Sequence, residues 1–375
     1  DDEVARFVGN VYARIHRSEG AAVDRDVERF LATLATNEQA RALGRTPLLL
    51  VMLLMVGRDA PLPDQRSELY RACLENLLDT RPRQRQAEGV LGGSAEWAPD
   101  KYVERRRAVA KLALFMQERH FAKTHHRSKN RQAVAVRVEL ERQLPEDWDP
   151  HQRTGFLRWL TFGAGVMNEH DDDTMSFAHL GFQEYLAAWQ LDISHETTLE
   201  RVRLVEMHGG SQLWWETLRL WAALIEVRDP NNLAAVAYVI MAALGSKQYE
   251  SHFWWLGAVL ADGLGATWFE AWLEGLPDRF GPTRESHARD VARAWAVSQQ
   301  HDRRRRIAST LDSGAPGWTW LTWLRAKAWR EHSGLPGELP RVTSPAQLGA
   351  FESLDGRLEL SEANVARERI WRVAS

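Results

Sequence analysis

Cysteine is almost absent from this 375-residue chain: the single Cys73 excludes an internal disulfide and any zinc site built on thiolates. It lies between Ala72 and Leu74 on an expected amphipathic helix, which reads as a buried thiol and not as a nucleophile. Lysine is scarce, six of 48 basic residues, and such an arginine bias more often reflects a GC-rich coding genome than phosphate recognition. The formal charge of -3 provides no global attraction to nucleic acid or acidic membrane. The longest apolar run, Leu48 to Val56, is far too short to cross a bilayer, and no secretory leader opens the sequence, so a cytoplasmic location without membrane contact is expected. No Gly-x-x-x-x-Gly-Lys-Ser/Thr loop occurs, and no serine, histidine and acid stand at a spacing that suggests a hydrolase. Tryptophan, by contrast, is abundant at 17 residues. With 44% hydrophobic and 26% charged residues, the length is that of two or three packed globular units.

Apolar residues recur at three-to-four residue spacing almost everywhere up to Trp329, so the expected class is mainly α. Asp2 can cap a first helix with Val4, Phe7, Val8, Val11 and Ile15 on one face, ending at Gly20, and a second helix spans Val23 to Leu34. At Leu43-Gly44-Arg45-Thr46-Pro47-Leu48-Leu49-Leu50, Thr46 is placed to cap a helix whose first residue is Pro47. That helix is apolar all round and should be central to its domain. After a Pro61-Leu62-Pro63 turn, Asp64 to Leu78 buries Leu69, Cys73, Leu74, Leu77 and Leu78. Arg81 to Pro99 is polar and Gly-rich and is expected to be a mobile connection. A helix over Tyr102 to Phe121 faces inward through Val109, Leu112, Ala113 and Met116. Beyond a polar insert a further helix reaches Leu144, and Asp149 or Pro150 starts the next, through Phe156, Leu157 and Leu160.

The period then changes. Val166 to Glu169 and Met175 to Phe177 alternate as two short strands joined by a polar turn at His170 to Asp173. Helix, helix, hairpin, helix is a winged-helix order, with the hairpin as the wing. Beyond Ile193 only helices are expected, with tryptophans on their apolar sides. Ser211-Gln212-Leu213-Trp214-Trp215 recurs forty residues later as Ser251-His252-Phe253-Trp254-Trp255, with Trp295 forty beyond Trp255, a spacing suited to HEAT-like helical repeats. The tryptophans suit the core of such an array, or in part a recognition surface. The boundaries read as 1–80 helical domain, 81–100 linker, 101–192 winged-helix domain, 193–335 helical array and 336–375 linker or truncated module.

Two landmarks carry a resemblance. The run Leu43 to Leu50, with Pro61-Leu62-Pro63 and Glu68-Leu69-Tyr70, resembles the first helical domain of NACHT-type signal-transduction NTPases. The run Phe177-Ala178-His179-Leu180-Gly181-Phe182-Gln183-Glu184-Tyr185-Leu186-Ala187-Ala188 resembles their winged-helix signature. The likeness spans about residues 1–192 and leaves out the family's P-loop core. It implies that Pro47, with Thr46 before it, meets the adenine ring and that His179 reaches the β-phosphate of bound ADP or ATP in the closed, resting state. It implies as partners an upstream NTPase core and effector domain, a protein or nucleic-acid trigger, and a homo-oligomer on activation, in bacteria commonly in antiphage defence. Without loop amides, lysine and Mg²⁺, this chain alone is expected not to hydrolyse ATP.

Other features have plainer readings. Asp171-Asp172-Asp173 at the hairpin tip reads as solvated acid before a cation site, and His125-His126 lacks partner ligands at helical spacing. Arg105-Arg106-Arg107 and Arg303 to Arg306 read as exposed helix faces before anion-binding patches. Two alternatives of other classes are a DNA-binding winged-helix regulator, which needs a basic recognition helix, and a helical scaffold without ligand.

Overall fold

Local signals account for most element starts in the computed structural model, which describes residues 2–16, 21–89, 98–124, 133–208, 211–228 and 263–264. The chain divides into two compact units, Asp1–Ser194 and His195–Ser375. The first opens with α1 (Asp2–His16), α2 (Ala21–Thr36) and α3 (Glu38–Leu43). Asn37 caps α3, its side-chain oxygen accepting from the Ala40 amide at 2.8 Å, while its Nδ2 donates to the Pro63 carbonyl at 2.8 Å. One residue thus ends α2, starts α3 and ties both to the Pro61–Pro63 turn.

Pro47 is the first residue of α4 (Pro47–Asp59), whose Leu49, Leu50, Met52, Leu53 and Leu54 are all buried. Thr46 has the extended backbone of an N-cap, yet its hydroxyl makes no capping hydrogen bond, so it starts the helix by conformation alone. Helix α5 (Arg66–Glu75) buries Ser67, Leu69, Tyr70, Cys73 and Leu74 and continues through a π-helical turn, Asn76–Thr80, into α6 (Arg81–Ala87). Burial raises the Cys73 thiol pKa to about 12, which leaves it an inert core group.

The helical Arg81–Ala87 corrects the expectation of a loose connection from Arg81. Pro82 cannot donate to a carbonyl one turn back, and its ring would clash with the Leu78 carbonyl in a regular helix. The widened turn, closed by the Arg81 amide bonding to the Asn76 carbonyl, lets the chain pass that point without ending.

The arginine run 105–107 also departs from expectation. In α7 (Tyr102–Thr124), Arg105 is buried, ion-paired with Asp79 and set 5.9 Å from the Trp159 ring. Arg106 lies 4.3 Å over the Trp189 ring and donates to the Tyr185 hydroxyl at 2.9 Å. Only Arg107 is exposed as the exposed-face reading required. Aromatic residues and an acid contributed by distant helices bury one of these cations and half-bury another.

After α7 come β1 (Ala135–Val136), α8 (Arg137–Glu141) and α9 (Pro150–Arg158), the last capped by Asp149 accepting from the Gln152 amide at 2.8 Å. A second π-helical turn, Trp159–Gly163, ends that helix. Gly163 is obligatory there, because a Cβ would stand 2.5 Å from Cδ1 of Trp159. Strands β2 (Met167–Glu169) and β3 (Thr174–Phe177) form the expected hairpin. The two-stranded wing is nevertheless incomplete, because β1 adds antiparallel to β3, with Ala135 opposite Met175, and gives the order β1-β3-β2. Two residues carry no alternation, so β1 has no periodic signal of its own.

Helix α10 (Leu180–Ser194) closes the unit against α7 and α5 and buries Phe182, Tyr185, Leu186, Ala187, Ala188 and Leu191. Each large side chain so removed from water contributes roughly 1.5–3 kcal/mol. In the second unit, α11 (Thr198–His208) and α12 (Gln212–Arg228) are described, with Trp214 and Trp221 wholly buried on α12. The second Trp-Trp copy at 254–255, Trp295, the arginines 303–306, the segment 336–375 and, in the first unit, His125-His126 lie outside the described residues, and the repeat reading rests on the sequence. No described helix is long and apolar enough to cross a membrane.

Candidate functional site

His179 occupies the N-cap of α10, with its carbonyl accepting from the Phe182 amide at 3.1 Å. Its ring does the work usually left to Asn or Asp: the Gly181 amide donates to Nδ1 at 3.0 Å. An Nδ1 that accepts carries no proton, so the ring proton of the neutral imidazole resides on Nε2. That nitrogen has no hydrogen-bond partner among the described residues and is a donor. Burial, and next the nearby Arg66 guanidinium, hold the His179 pKa below its usual value, and the neutral form is thereby favoured. The ring also stands edge-on to Phe182 at 5.7 Å, which restricts its orientation.

The surroundings of this cap come from α5. Arg66 donates to the Tyr70 hydroxyl at 3.3 Å and lies 5.6 Å over that ring. Tyr70 packs on Phe182 and Tyr185 at 6.1 and 6.0 Å, and its hydroxyl fills the space a Cβ would need at Gly181. The absence of a side chain at 181 lets α10 begin in contact with α5. Sequence reading passed over Arg66, although its place at the start of the helix bearing Glu68-Leu69-Tyr70 was the available signal.

Pro47 is exposed at the first turn of α4, offering a rigid apolar ring to solvent, and Thr46 is half-buried beside it. Both belong to the same compact unit as His179, and α4 and α10 each pack against α5. Pro47 and His179 therefore stand at the N-terminal ends of two helices that share one neighbour.

The wing is acidic. Glu169, Asp171, Asp172 and Asp173 cluster on the hairpin, where Arg137 pairs with Glu169 and, at 2.9 Å, with Asp173. Asp172 accepts from the Thr174 amide at 3.2 Å and from its hydroxyl, so this carboxylate shapes the turn. Asp173 adopts a positive φ of 57°, the left-handed conformation that aspartate tolerates better than most residues. Among the described residues no group of three or more His, Cys, Asp or Glu could hold a metal ion.

The elements run α7, β1, α8, α9, β2, β3, α10, with a three-stranded sheet ending in a wing, and a family model described as "Winged helix-turn-helix domain C-terminal to NACHT" matches residues 66–191. This segment is a NACHT-associated winged-helix domain. The match begins at Arg66, so the NACHT-associated domain takes in α5 and α6 as well as the hairpin. It covers about a third of the chain. No curated protein and no solved structure matches the sequence. Domains described by that model lie C-terminal to a NACHT domain.

Proposed function

We propose that residues 1–194 form the nucleotide-gated latch of a NACHT-type signalling NTPase, in which His179 donates from Nε2 to a phosphate oxygen of ADP held by the upstream core. The observation that supports this most is the His179 cap: the ring's acceptor is consumed by the Gly181 amide, leaving a neutral donor beside the positive field of Arg66. A hydrogen bond to a charged acceptor is worth about 1.5–3 kcal/mol, or roughly 10- to 150-fold in retention. Pro47 supplies a flat apolar face for the adenine, with Thr46 next to it.

Nucleotide bridging the core and this latch makes the closed arrangement the favoured state, because it binds that arrangement better than the open one. Recognition of a trigger by the helical array after residue 193 favours release of the latch, nucleotide exchange and homo-oligomerisation, which then switches on the attached effector in a cytoplasmic, antiphage response. The chain alone is expected to turn over no ATP, since its sequence contains no Gly-x-x-x-x-Gly-Lys-Ser/Thr loop.

The test restores the upstream core and measures ADP release after gel filtration. His179→Ala should speed release by roughly 10- to 150-fold and raise resting activity, and His179→Gln, which keeps a donor at the same reach, should recover part of the retention. Unchanged release and unchanged resting activity in His179→Ala would falsify the latch. The reading as a DNA-binding regulator gains no support from the wing, whose acids would face the phosphate backbone with repulsion. Tight, salt-sensitive binding of duplex DNA would revive it.

A further inference from the structure

We propose that Gly181 and Tyr70 are positioning residues that lock His179 in a single tautomer, proton on Nε2, so that the site accepts only ligands that present an anionic or neutral oxygen acceptor. The proposal deepens the latch reading and rests on it only for the identity of the ligand. The tautomer itself follows from contacts within the chain.

Three observations converge. The Gly181 amide lies 3.0 Å from Nδ1, and an amide can only donate, so a proton on Nδ1 would set two donors face to face. Only a glycine fits at 181 with its amide in this position, because the Tyr70 hydroxyl occupies the space a Cβ would take, and Tyr70 is itself anchored by Phe182, Tyr185 and the Arg66 guanidinium. Phe182, two residues beyond Leu180, stands edge-on to the imidazole and opposes rotation of the ring away from the amide. An unconstrained neutral imidazole exchanges between two tautomers and can present an acceptor or a donor at either nitrogen. Here one choice is removed. A metal ion or an N–H ligand, each of which needs a lone pair, is rejected at Nε2, whereas a phosphate oxygen is accepted without any change of protonation. Burial and the Arg66 charge act in the same direction by disfavouring the imidazolium, which would have to present a proton to the amide.

The experiment is selective ¹⁵N-histidine labelling of the full chain, with long-range proton–nitrogen correlation at neutral pH. The His179 signals among the 13 histidines are assigned by their loss in His179→Gln. The expected pattern is one unprotonated Nδ1 and one protonated Nε2 with separate, unaveraged shifts. A proton on Nδ1, or shifts averaged between the two tautomers, overturns the proposal in the wild-type protein. Gly181→Ala should bring the two nitrogen shifts together, as the new Cβ drives the first turn of α10 away from Tyr70. Adding Tyr70→Leu, which vacates the hydroxyl position, should separate them again. A wild-type pattern in Gly181→Ala overturns the role of the glycine. A locked tautomer combined with ADP retention that ignores His179→Ala would sink the latch and leave this assignment standing.

Discussion

Replacing Asp79 by asparagine should loosen the packing of the turn at 76–80 against α7. Arg105 is only 7% exposed along its side chain and Asp79 20%, and the pair joins the π-helical turn after α5 to α7. Two unit charges about 4 Å apart at an effective dielectric of about 20 attract by about 4 kcal/mol. Asparagine removes that attraction but leaves the guanidinium desolvated against Trp159, where burial already lowers its pKa and Asp79 opposes the shift. The expected loss is therefore about 2–4 kcal/mol, in line with one partner being deleted from a buried pair. Arg105→Met should cost less, about 1 kcal/mol, because the stem still packs on Trp159 and Asp79 keeps Arg83 at 3.0 Å. Hydrogen exchange followed by mass spectrometry suits a two-unit chain, since it reads local stability. Amides of the turn at 76–80 and of the first half of α7 should exchange roughly 30- to 700-fold faster in Asp79→Asn. A smaller effect in Asp79→Asn than in Arg105→Met would refute the claim that the uncompensated buried cation sets the cost.

Gly163→Ala should destabilise the first unit by about 1–3 kcal/mol, because its Cβ meets the buried Trp159 ring at 2.5 Å, and a thermal midpoint equal to wild type would contradict this. Asn37→Ala removes both the cap of α3 and the tether to Pro63 and should cost about 1–2 kcal/mol by urea titration, whereas Asn37→Asp, which keeps the capping oxygen, should recover the part due to the cap. In the second unit His208 is buried and stacked on Trp214 at 3.8 Å, and burial, followed by the charge of His195, lowers its pKa to about 4. Between about pH 6.5 and 4 the unfolded chain binds a proton that the native ring refuses. Stability therefore falls as pH drops through that window, by up to about 3 kcal/mol, and levels off below it. Thermal unfolding from pH 7.5 to 4 should show a gentler slope in His208→Leu, and identical slopes would dismiss the buried neutral ring.

Much of the winged helix was legible because its signals are short-range. The pair Asp149-Pro150, the alternation at 167–169 and 175–177 and the buried stripe of Leu69, Cys73, Leu74, Leu77 and Leu78 each depend on residues within a turn or two of one another. His179 and Pro47 were legible as candidates through the resemblance, and they lie just before α10 and at the first residue of α4. The missed features share a different cause. Strand β1 exists only because β3 offers an edge, and α6 continues past Pro82 only because the preceding turn widens. Arg105 is buried and Arg106 half-buried because Asp79, Trp159, Tyr185 and Trp189 arrive from other helices.

Composition and local pattern alone were enough to establish a mainly helical chain with a winged-helix segment, a nearly cysteine-free chemistry and the absence of a phosphate-binding loop, since these depend on residue identity and near-neighbour spacing. Only the tertiary structure decided which hydrogen-bonding role His179 can play. Its Nδ1 accepts from an amide two residues away, and the residue that carries that amide must be glycine because Tyr70, more than a hundred residues earlier in the chain, occupies the Cβ position once α5 and α10 pack together.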